Sequence, residues 1–455
     1  MPASFSTSLL TDMYELTMID ATLKTGVAKR RSVFELFGRT LPAKRRFGVV
    51  AGTGRILEAL KRFHFSAQQI DFLHHRQVVS DDCLDFLRSF KFSGNIWGYR
   101  EGECYFSGSP LLTVEASFAE AVALETLVLS ILNYDSAVAS AASRMTIAAH
   151  GRPCLDMGAR RTHERAAVSA ARAAVIGGFA GTSDLEAAKR YGIKAIGTAA
   201  HSFTLIHDSE EDAFAAQIAS LGPNTTLLVD TYNVKRGVAR AVAAARAAGG
   251  ELGAVRLDSG DLVAQAFTVR GQLDALGAES TKITVTSDLD EYQIAALNAA
   301  PVDSYGVGTL LVTGSGIPTA ALVYKLVERS DEKGLKRDVA KKSFNKSTVG
   351  GMKFAGRSRD QDGYATSELL VIADSQADAE AEFARHNARS LQVQYVKDGD
   401  IDESYIGEDA LRAATAHHVS ARNELPYQAW RLSEGEAAIP TKYIDLVGRQ
   451  GEAGD

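Results

Sequence analysis

Four short segments carry residue types suited to chemistry on a small charged molecule. In Asp156 to Ala167 (DMGARRTHERAA), Arg160 and Arg161 stand side by side after an apolar run and before a helical one. An arginine presents a planar fork that pairs with both oxygens of a carboxylate or phosphate; the alternative is a solvated helix start with Glu164 as partner. In Arg256 to Leu262 (RLDSGDL), Arg256 and Asp258 are two apart on a strand and therefore face the same side. They can hold a charged ligand together, or form only an internal salt bridge and cap. His201 sits in GTAAHSF, Gly197 to Phe203, among small residues that leave an imidazole accessible, although a lone histidine is more often structural. Gly306 to Gly316 (GVGTLLVTGSG) is a glycine-rich run whose backbone N–H groups could approach a phosphate, yet it is neither a P-loop nor a dinucleotide fingerprint. No second His or Cys stands at metal-ligand spacing near His201, and a GxSxG nucleophile elbow has no better candidate than the glycine run around Gly314.

The elements that must position these residues alternate from about residue 150 onward between short β-rich runs and alanine-rich stretches, the signal of βα units. Expected strands are Arg152 to Asp156, Ile193 to Thr198, Thr225 to Asp230, Gly253 to Asp258, Lys282 to Ser287 and Ser304 to Gly308, with one more around Phe179. Expected helices are Arg165 to Ile176, Glu211 to Leu221, Val234 to Ala248, Leu262 to Leu276 and Glu291 to Ala299. The fold class is α/β, with six or seven parallel strands. Asp156, His201, Asp230, Asp258, Asp288 and the glycines near 308 all fall at or just past carboxyl ends, the ligand-binding edge of such sheets. The bland reading is that each caps a helix or makes a turn. Residues 1–115 mix helical pieces (Ile56 to Phe63, Asp81 to Phe90) with β-like runs (Val33 to Phe37, Leu111 to Val114), and residues 326–455 turn basic at Lys341, Lys342, Lys346 and Lys353 before a strand-like Glu368 to Ala373. Both ends are expected to form a second α/β domain beside a domain spanning 116–325.

The chain has 455 residues with 56 Asp plus Glu and 50 Lys plus Arg, a formal net charge of −6. With 45% hydrophobic and 23% charged residues it can bury a sizeable core, which argues against disorder and against a purely electrostatic nucleic-acid role. Cys83, Cys104 and Cys154 have no CxxC spacing, which supports neither a disulfide framework nor a zinc site and fits a reducing cytosol. The N-terminus does not read as a signal peptide, and the uncharged run Ser304 to Tyr324 holds too many glycines for a membrane span.

Taken together, the segments resemble the nicotinate phosphoribosyltransferases: TDMYELTM (Thr11 to Met18), FELFGRTLP (Phe34 to Pro42), DMGARRTHE, GGFAGTSDL, GTAAHSF, LLVDTYNV, VRLDSGDL, TVTSDLDEY and SYGVGTLLVTG, in that order. KSFNKSTVGGMKFAGR, Lys342 to Arg357, looks like the family's basic motif. The resemblance implies an irregular parallel α/β barrel beside an α/β domain with an antiparallel sheet, assembled as a homodimer with shared active sites. It implies transfer of phosphoribose from 5-phosphoribosyl diphosphate to nicotinate with Mg²⁺ present, giving nicotinate mononucleotide and pyrophosphate, and coupled to ATP through a phosphorylated histidine matching His201. By the same matching, Tyr14 stacks on nicotinate from the neighbouring subunit, Arg160, Thr198 and Arg256 contact the substrate, Asp258 faces the ribose, and Ser287, Asp288, Gly308 and Thr309 hold the 5-phosphate side. Met157 stands where relatives often carry an aromatic residue.

The chemistry agrees with those residues: breaking the ribosyl–diphosphate bond builds positive charge at C1 and negative charge on the leaving group, and Asp258 with Arg160 and Arg256 supplies the opposing signs. A nicotinamide-using relative would share the fold and the histidine; Ser183 separates the two, because those relatives resemble an aspartate there, which accepts from an amide and repels an acid. The adjacent Asp184 is expected to cap the following helix. A quinolinate phosphoribosyltransferase is disfavoured by GTAAHS, and a non-catalytic barrel by the joint presence of His201, Arg256 and Asp258.

Overall fold

The computed structural model describes residues 5–341 and 348–448, so Lys342 and Lys346 of the basic segment lie outside the described residues. The backbone divides into two compact units: Ala141–Pro318, and Met1–Ser140 together with Thr319–Asp455.

In Ala141–Pro318 the strands are β1 (Cys154–Asp156), β2 (Thr226–Leu228), β3 (Ala254–Leu257), β4 (Lys282–Ser287) and β5 (Ser304–Val307). They lie in the order β1-β5-β4-β3-β2, every pairing parallel. Past β1 the row continues through two single parallel bridges, Asp156 with Thr182 and Thr182 with Ala195. Five laddered strands and two bridging segments therefore occupy the six or seven positions expected. The segment Ile193 to Thr198 is not a full strand: Thr182 N–H donates to Lys194 O (3.0 Å) and Ile196 N–H to Thr182 O (2.9 Å), and pairing ends there. Gly197 and the small residues after it give a ladder little to pack.

Strand alternation separates two faces. Val255, Leu257, Ile283, Val285, Tyr305 and Val307 are fully buried on the face packed against apolar side chains. Arg256, Thr284, Thr286 and Gly306 share the other face through the registers Arg256–Thr284 and Gly306–Thr286, and Asp258, two residues past Arg256, continues it. The crowding there demands a glycine at 306, where a Cβ would come within 2.4 Å of Thr286 Cγ2 and 2.7 Å of Met157 Sδ.

Helices Glu164–Ile176, Glu210–Leu221, Val234–Ala247, Leu262–Ala275 and Glu291–Leu297 form where the alanine-rich periodicity places them. Several are capped by the polar residue just before them: Ser209 accepts from Asp212 N–H, Asn233 from Arg236 N–H, Asp261 from Ala264 N–H, and Asp290 from Tyr292 and Gln293 N–H. The short helix Leu185–Tyr191 follows Asp184 as expected, His201–Leu205 was not anticipated, and the glycine-rich run after β5 opens with a helical turn, Thr309–Val312, in place of an open loop.

The other unit draws strands from both chain ends. Its seven-stranded sheet sets Arg31–Gly38 between Leu112–Ser117 and Leu322–Ser330, and pairs Asn95–Tyr99 with Gln392–Lys397, all antiparallel. Lys353–Arg359 and Ala365–Ile372 form the centre of a separate four-stranded sheet. This unit extends to Ser140, past the residue 115 expected from sequence, because the helix Glu125–Ala148 buries Leu127, Val128, Ile131 and Leu132 in its core. The stretch Phe118–Ala148 is long and apolar enough to cross a membrane by length and composition, but 67% of its most apolar window is buried inside the protein, as in a core helix.

Candidate active site

The carboxyl ends of the parallel strands open into two adjoining depressions. One, of about 650 Å³, is lined by Arg160, Arg161, Ser287, Asp288, Gly308 and Thr309. The other, of about 930 Å³, is lined by Ser183, Thr198 and His201. Met157, Arg160, Arg256 and Asp258 line both, so they are two lobes of one cleft.

Arg256, carried on β3, is held at every nitrogen. Its Nε donates to Thr286 Oγ1 (2.9 Å), Nη1 to Thr198 Oγ1 (2.8 Å) and Ala199 O (3.2 Å), and Nη2 to Asp258 Oδ1 (3.0 Å). Asp258 is held in turn from three sides: Oδ1 accepts from Arg256 and from the Thr286 hydroxyl, while its backbone N–H donates to Asp230 Oδ2 (2.8 Å). Burial pushes the Asp258 carboxyl up, but the Thr286 hydroxyl, the Arg256 guanidinium and His201 outweigh it and hold the group below its ordinary value. The side chain is therefore an anion at neutral pH.

His201 opens the helix His201–Leu205. Its Nδ1 lies 3.0 Å from Thr231 Oγ1, which orients the ring, and Nε2 is 3.9 Å from Asp258 Oδ2. The side chain is 40% exposed, open to an incoming group. Arg160 and Arg161 are exposed at the rim, as are Ser287 and Asp288. Ser183 faces the lobe that holds His201, and Asp184 turns away to cap Leu185–Tyr191 through Ala187 N–H (2.8 Å), as expected.

Asp156 takes the bland alternative. Its Oδ1 accepts from Gly158 N–H (2.8 Å) and its Oδ2 from the Thr182 hydroxyl (2.6 Å). Burial holds it above the ordinary carboxylate value, so it pins the loop that carries Arg160 and lines neither lobe. Tyr14 belongs to the other unit, on the helix Met13–Thr25. It is 46% exposed, and burial first, then Glu125 and Glu15, raises its phenol above the ordinary tyrosine value.

The chain matches the model of the nicotinate phosphoribosyltransferase N-terminal domain over residues 9–133 and the nicotinate phosphoribosyltransferase family model over residues 153–326. A nicotinate phosphoribosyltransferase of Mycobacterium tuberculosis (strain H37Rv) is 52% identical over 444 residues, which cover 96% of this chain and 95% of that protein. The chain belongs to the nicotinate phosphoribosyltransferase family. The Bacillus subtilis nicotinate phosphoribosyltransferase is 35% identical over 380 residues, covering 82% of this chain and 77% of its own. The human nicotinic acid phosphoribosyltransferase structure shares the fold, with a TM-score of 0.80 at 23% identity over 95% of this chain and 98% of that one.

In this family member the structure brings into one cleft the catalytic, substrate and phosphate residues named from the parallel unit, with Arg161 lining the lobe of Arg160 and Asp230 bracing Asp258 from behind. Two residues the cleft uses were not singled out from sequence: Thr286, which braces Asp258, and Thr231, which orients His201. Threonines at strand ends read as ordinary β-formers. The signal available for Thr286 was its register beside Arg256 and Asp258, which only the pairing of β3 with β4 supplies.

Proposed function

We propose that this protein is a nicotinate phosphoribosyltransferase, which joins nicotinate to the ribose C1 of 5-phosphoribosyl diphosphate and releases pyrophosphate, as a step of NAD biosynthesis. The observation that carries this is the Arg256–Asp258 pair: a fixed cation and a fixed anion at the end of one strand, in a cleft lined also by Arg160, Arg161, His201, Asp288 and the hydroxyl residues Ser183, Thr198, Ser287 and Thr309. The pyridine carboxylate pairs with Arg256 and Arg160, and Thr198 steadies Arg256 from the lobe that holds Ser183. Asp258 Oδ2 faces the ribose, where positive charge develops at C1 as the diphosphate leaves. Ser287, Asp288, Gly308 and Thr309 line the 5-phosphate end, with Arg161 beside them.

Among the described residues no cluster of three or more His, Cys, Asp or Glu side chains could hold a metal ion. That fits Mg²⁺, which commonly binds through one or two carboxylates and substrate phosphates; Asp288, exposed in the lobe of the 5-phosphate end, is the carboxylate that would hold it. When bound it neutralises charge on the leaving diphosphate. ATP is the co-substrate: His201 attacks its γ-phosphorus, ADP departs, and water later releases phosphate from the phosphohistidine. We further propose a cytoplasmic homodimer in which Tyr14 of one subunit completes the site of the other.

Purified protein should form nicotinate mononucleotide and pyrophosphate only when nicotinate and 5-phosphoribosyl diphosphate are both supplied, and hydrolyse ATP. His201→Ala should lose ATP hydrolysis and the acid-labile phosphoryl label while keeping slow ATP-independent transfer. A variant that still takes up the label at the wild-type level removes the phosphohistidine. Mixing inactive Tyr14→Ala with inactive Arg256→Ala chains should restore activity, since one site of each heterodimer is then intact; no recovery after verified subunit exchange counts against the shared site.

A further inference from the structure

The two oxygens of Asp258 have different surroundings. Oδ1 accepts from Arg256 Nη2 (3.0 Å) and from the Thr286 hydroxyl. Oδ2 faces His201 Nε2 at 3.9 Å, beyond hydrogen-bond reach, and is the oxygen left for a ligand. Thr286 makes this partition. It is buried, 3% exposed, on β4 two residues past Thr284, the register partner of Arg256. Its hydroxyl therefore lies beneath the Arg–Asp pair. A hydroxyl has one proton and two lone pairs: Arg256 Nε–H fills a lone pair at 2.9 Å, and the proton goes to Asp258 Oδ1. Leu257 O, at 3.5 Å, is the weaker alternative for that proton.

We propose that Thr286 is a positioning residue of the transfer reaction, whose hydroxyl ties the guanidinium that takes the substrate carboxylate to the carboxylate that faces the ribose, so that Asp258 presents Oδ2 alone to the cleft. The identity of the two ligands rests on the function proposed above; the Arg256–Thr286–Asp258 geometry does not. The guanidinium is a rigid plane, so a ligand that draws on its remaining Nη2 N–H moves Nε with it. Through Nε the displacement reaches Thr286 and Asp258. A threonine that served only as β-branched filling would do none of this, and valine, of the same shape, would replace it without loss.

Two readouts of Thr286→Val and Thr286→Ser test this. The first is the titration of the Asp258 carboxyl in ligand-free enzyme by ¹³C NMR, assigned by its loss in Asp258→Asn. The charged groups that face it, Arg256 and His201, and Asp230 behind its backbone, are unchanged in both variants. Thr286→Val should titrate at higher pH than wild type and Thr286→Ser at the wild-type pH. The second is steady-state kinetics: Thr286→Val should lower kcat about tenfold or more with the nicotinate KM within about threefold of wild type, and Thr286→Ser should recover kcat. Should the valine variant fail to fold, Thr286→Ala is the second hydroxyl-free test. Either readout unchanged in the hydroxyl-free variant overturns the proposal. If Thr286→Val shifts the titration but the wild-type protein makes no nicotinate mononucleotide, the substrate assignment is overturned and the partition of the two Asp258 oxygens stands.

Discussion

Arginine and carboxylate meet in both units of the molecule, under opposite conditions. In the unit that contains both chain ends, Arg357 is fully buried and donates from Nη1 to Glu103 (2.8 Å) and from Nη2 to Glu368 (2.6 Å) and Cys104 O (2.6 Å). Glu368 accepts also from the Tyr99 and Ser109 hydroxyls, and Glu103 is paired with His417 and Arg389. Burial pushes Glu103 up, but Arg357, His417 and Arg389 hold it far below the ordinary range. In the parallel unit Arg256 is bonded at every nitrogen, yet it and Asp258 line an open cleft and Asp258 keeps Oδ2 unshared. Arginine and carboxylate make a structural lock where both are buried and fully shared, and a binding site where one carboxylate oxygen still faces an open cleft.

The sharpest way to break this comparison is to cut the lock. Arg357→Ala strands the buried Glu368, weakens the pairing of Glu103, and should lower unfolding stability by up to about 5 kcal/mol, read from denaturant midpoints, while kcat per folded molecule stays near wild type. A stability loss under about 1 kcal/mol would show that the network is not sealed.

Ser183→Asp sharpens the other half. It sets a second anion in the lobe lined by Arg160 and Arg256, and two like charges about 4 Å apart at an effective dielectric near 20 cost on the order of 4 kcal/mol. The kcat/KM ratio of nicotinate to nicotinamide should fall roughly a thousandfold; an unchanged ratio places residue 183 away from the pyridine substituent.

The lock should also appear in the pH dependence of stability. Burial lowers His418, beside Glu103, from 6.5 to about 4. A group neutral in the fold and protonated when unfolded loses stability as pH falls below its unfolded value, so roughly 3 kcal/mol should disappear between pH 6.5 and 4. Glu103 acts further down: its folded value is depressed, so its contribution is intact above the ordinary glutamate range and is lost on acidification through and below it. His418→Gln should flatten the upper window, and an unaltered slope there would remove this assignment.

The smallest expected effect is at Thr198, whose hydroxyl steadies Arg256 Nη1 at 2.8 Å. Thr198→Val should cost about 1.5 kcal/mol in kcat/KM, or about tenfold, without moving the unfolding midpoint.

The two regions also differed in how much of them could be read from sequence. Lys282–Ser287 was placed to the residue because a β-branched run stands between turn-formers, and the helices that follow the parallel strands carry recognisable caps. The helix Glu125–Ala148 went unread because it is apolar on most sides, and a buried helix has no amphipathic stripe to detect. Cleft residues with charge, such as Arg256, Asp258 and His201, were legible through type and position after a strand. Those that act by bracing others were not, such as Thr286, whose role exists only once β3 lies beside β4; Asp230 was legible as a strand-end carboxylate but not as the brace of Asp258. The lock was invisible for the same reason: Arg357 and Glu103 are 254 residues apart.

The most direct test of the comparison is nicotinate mononucleotide formation by Arg256→Ala, measured alongside its unfolding midpoint. Removing the charge-assisted contacts of this guanidinium should lower kcat/KM roughly a thousandfold or more with stability within about 1 kcal/mol of wild type. Activity within about tenfold of wild type, or a loss of activity matched by loss of fold, would make Arg256 a second structural lock and contradict the account.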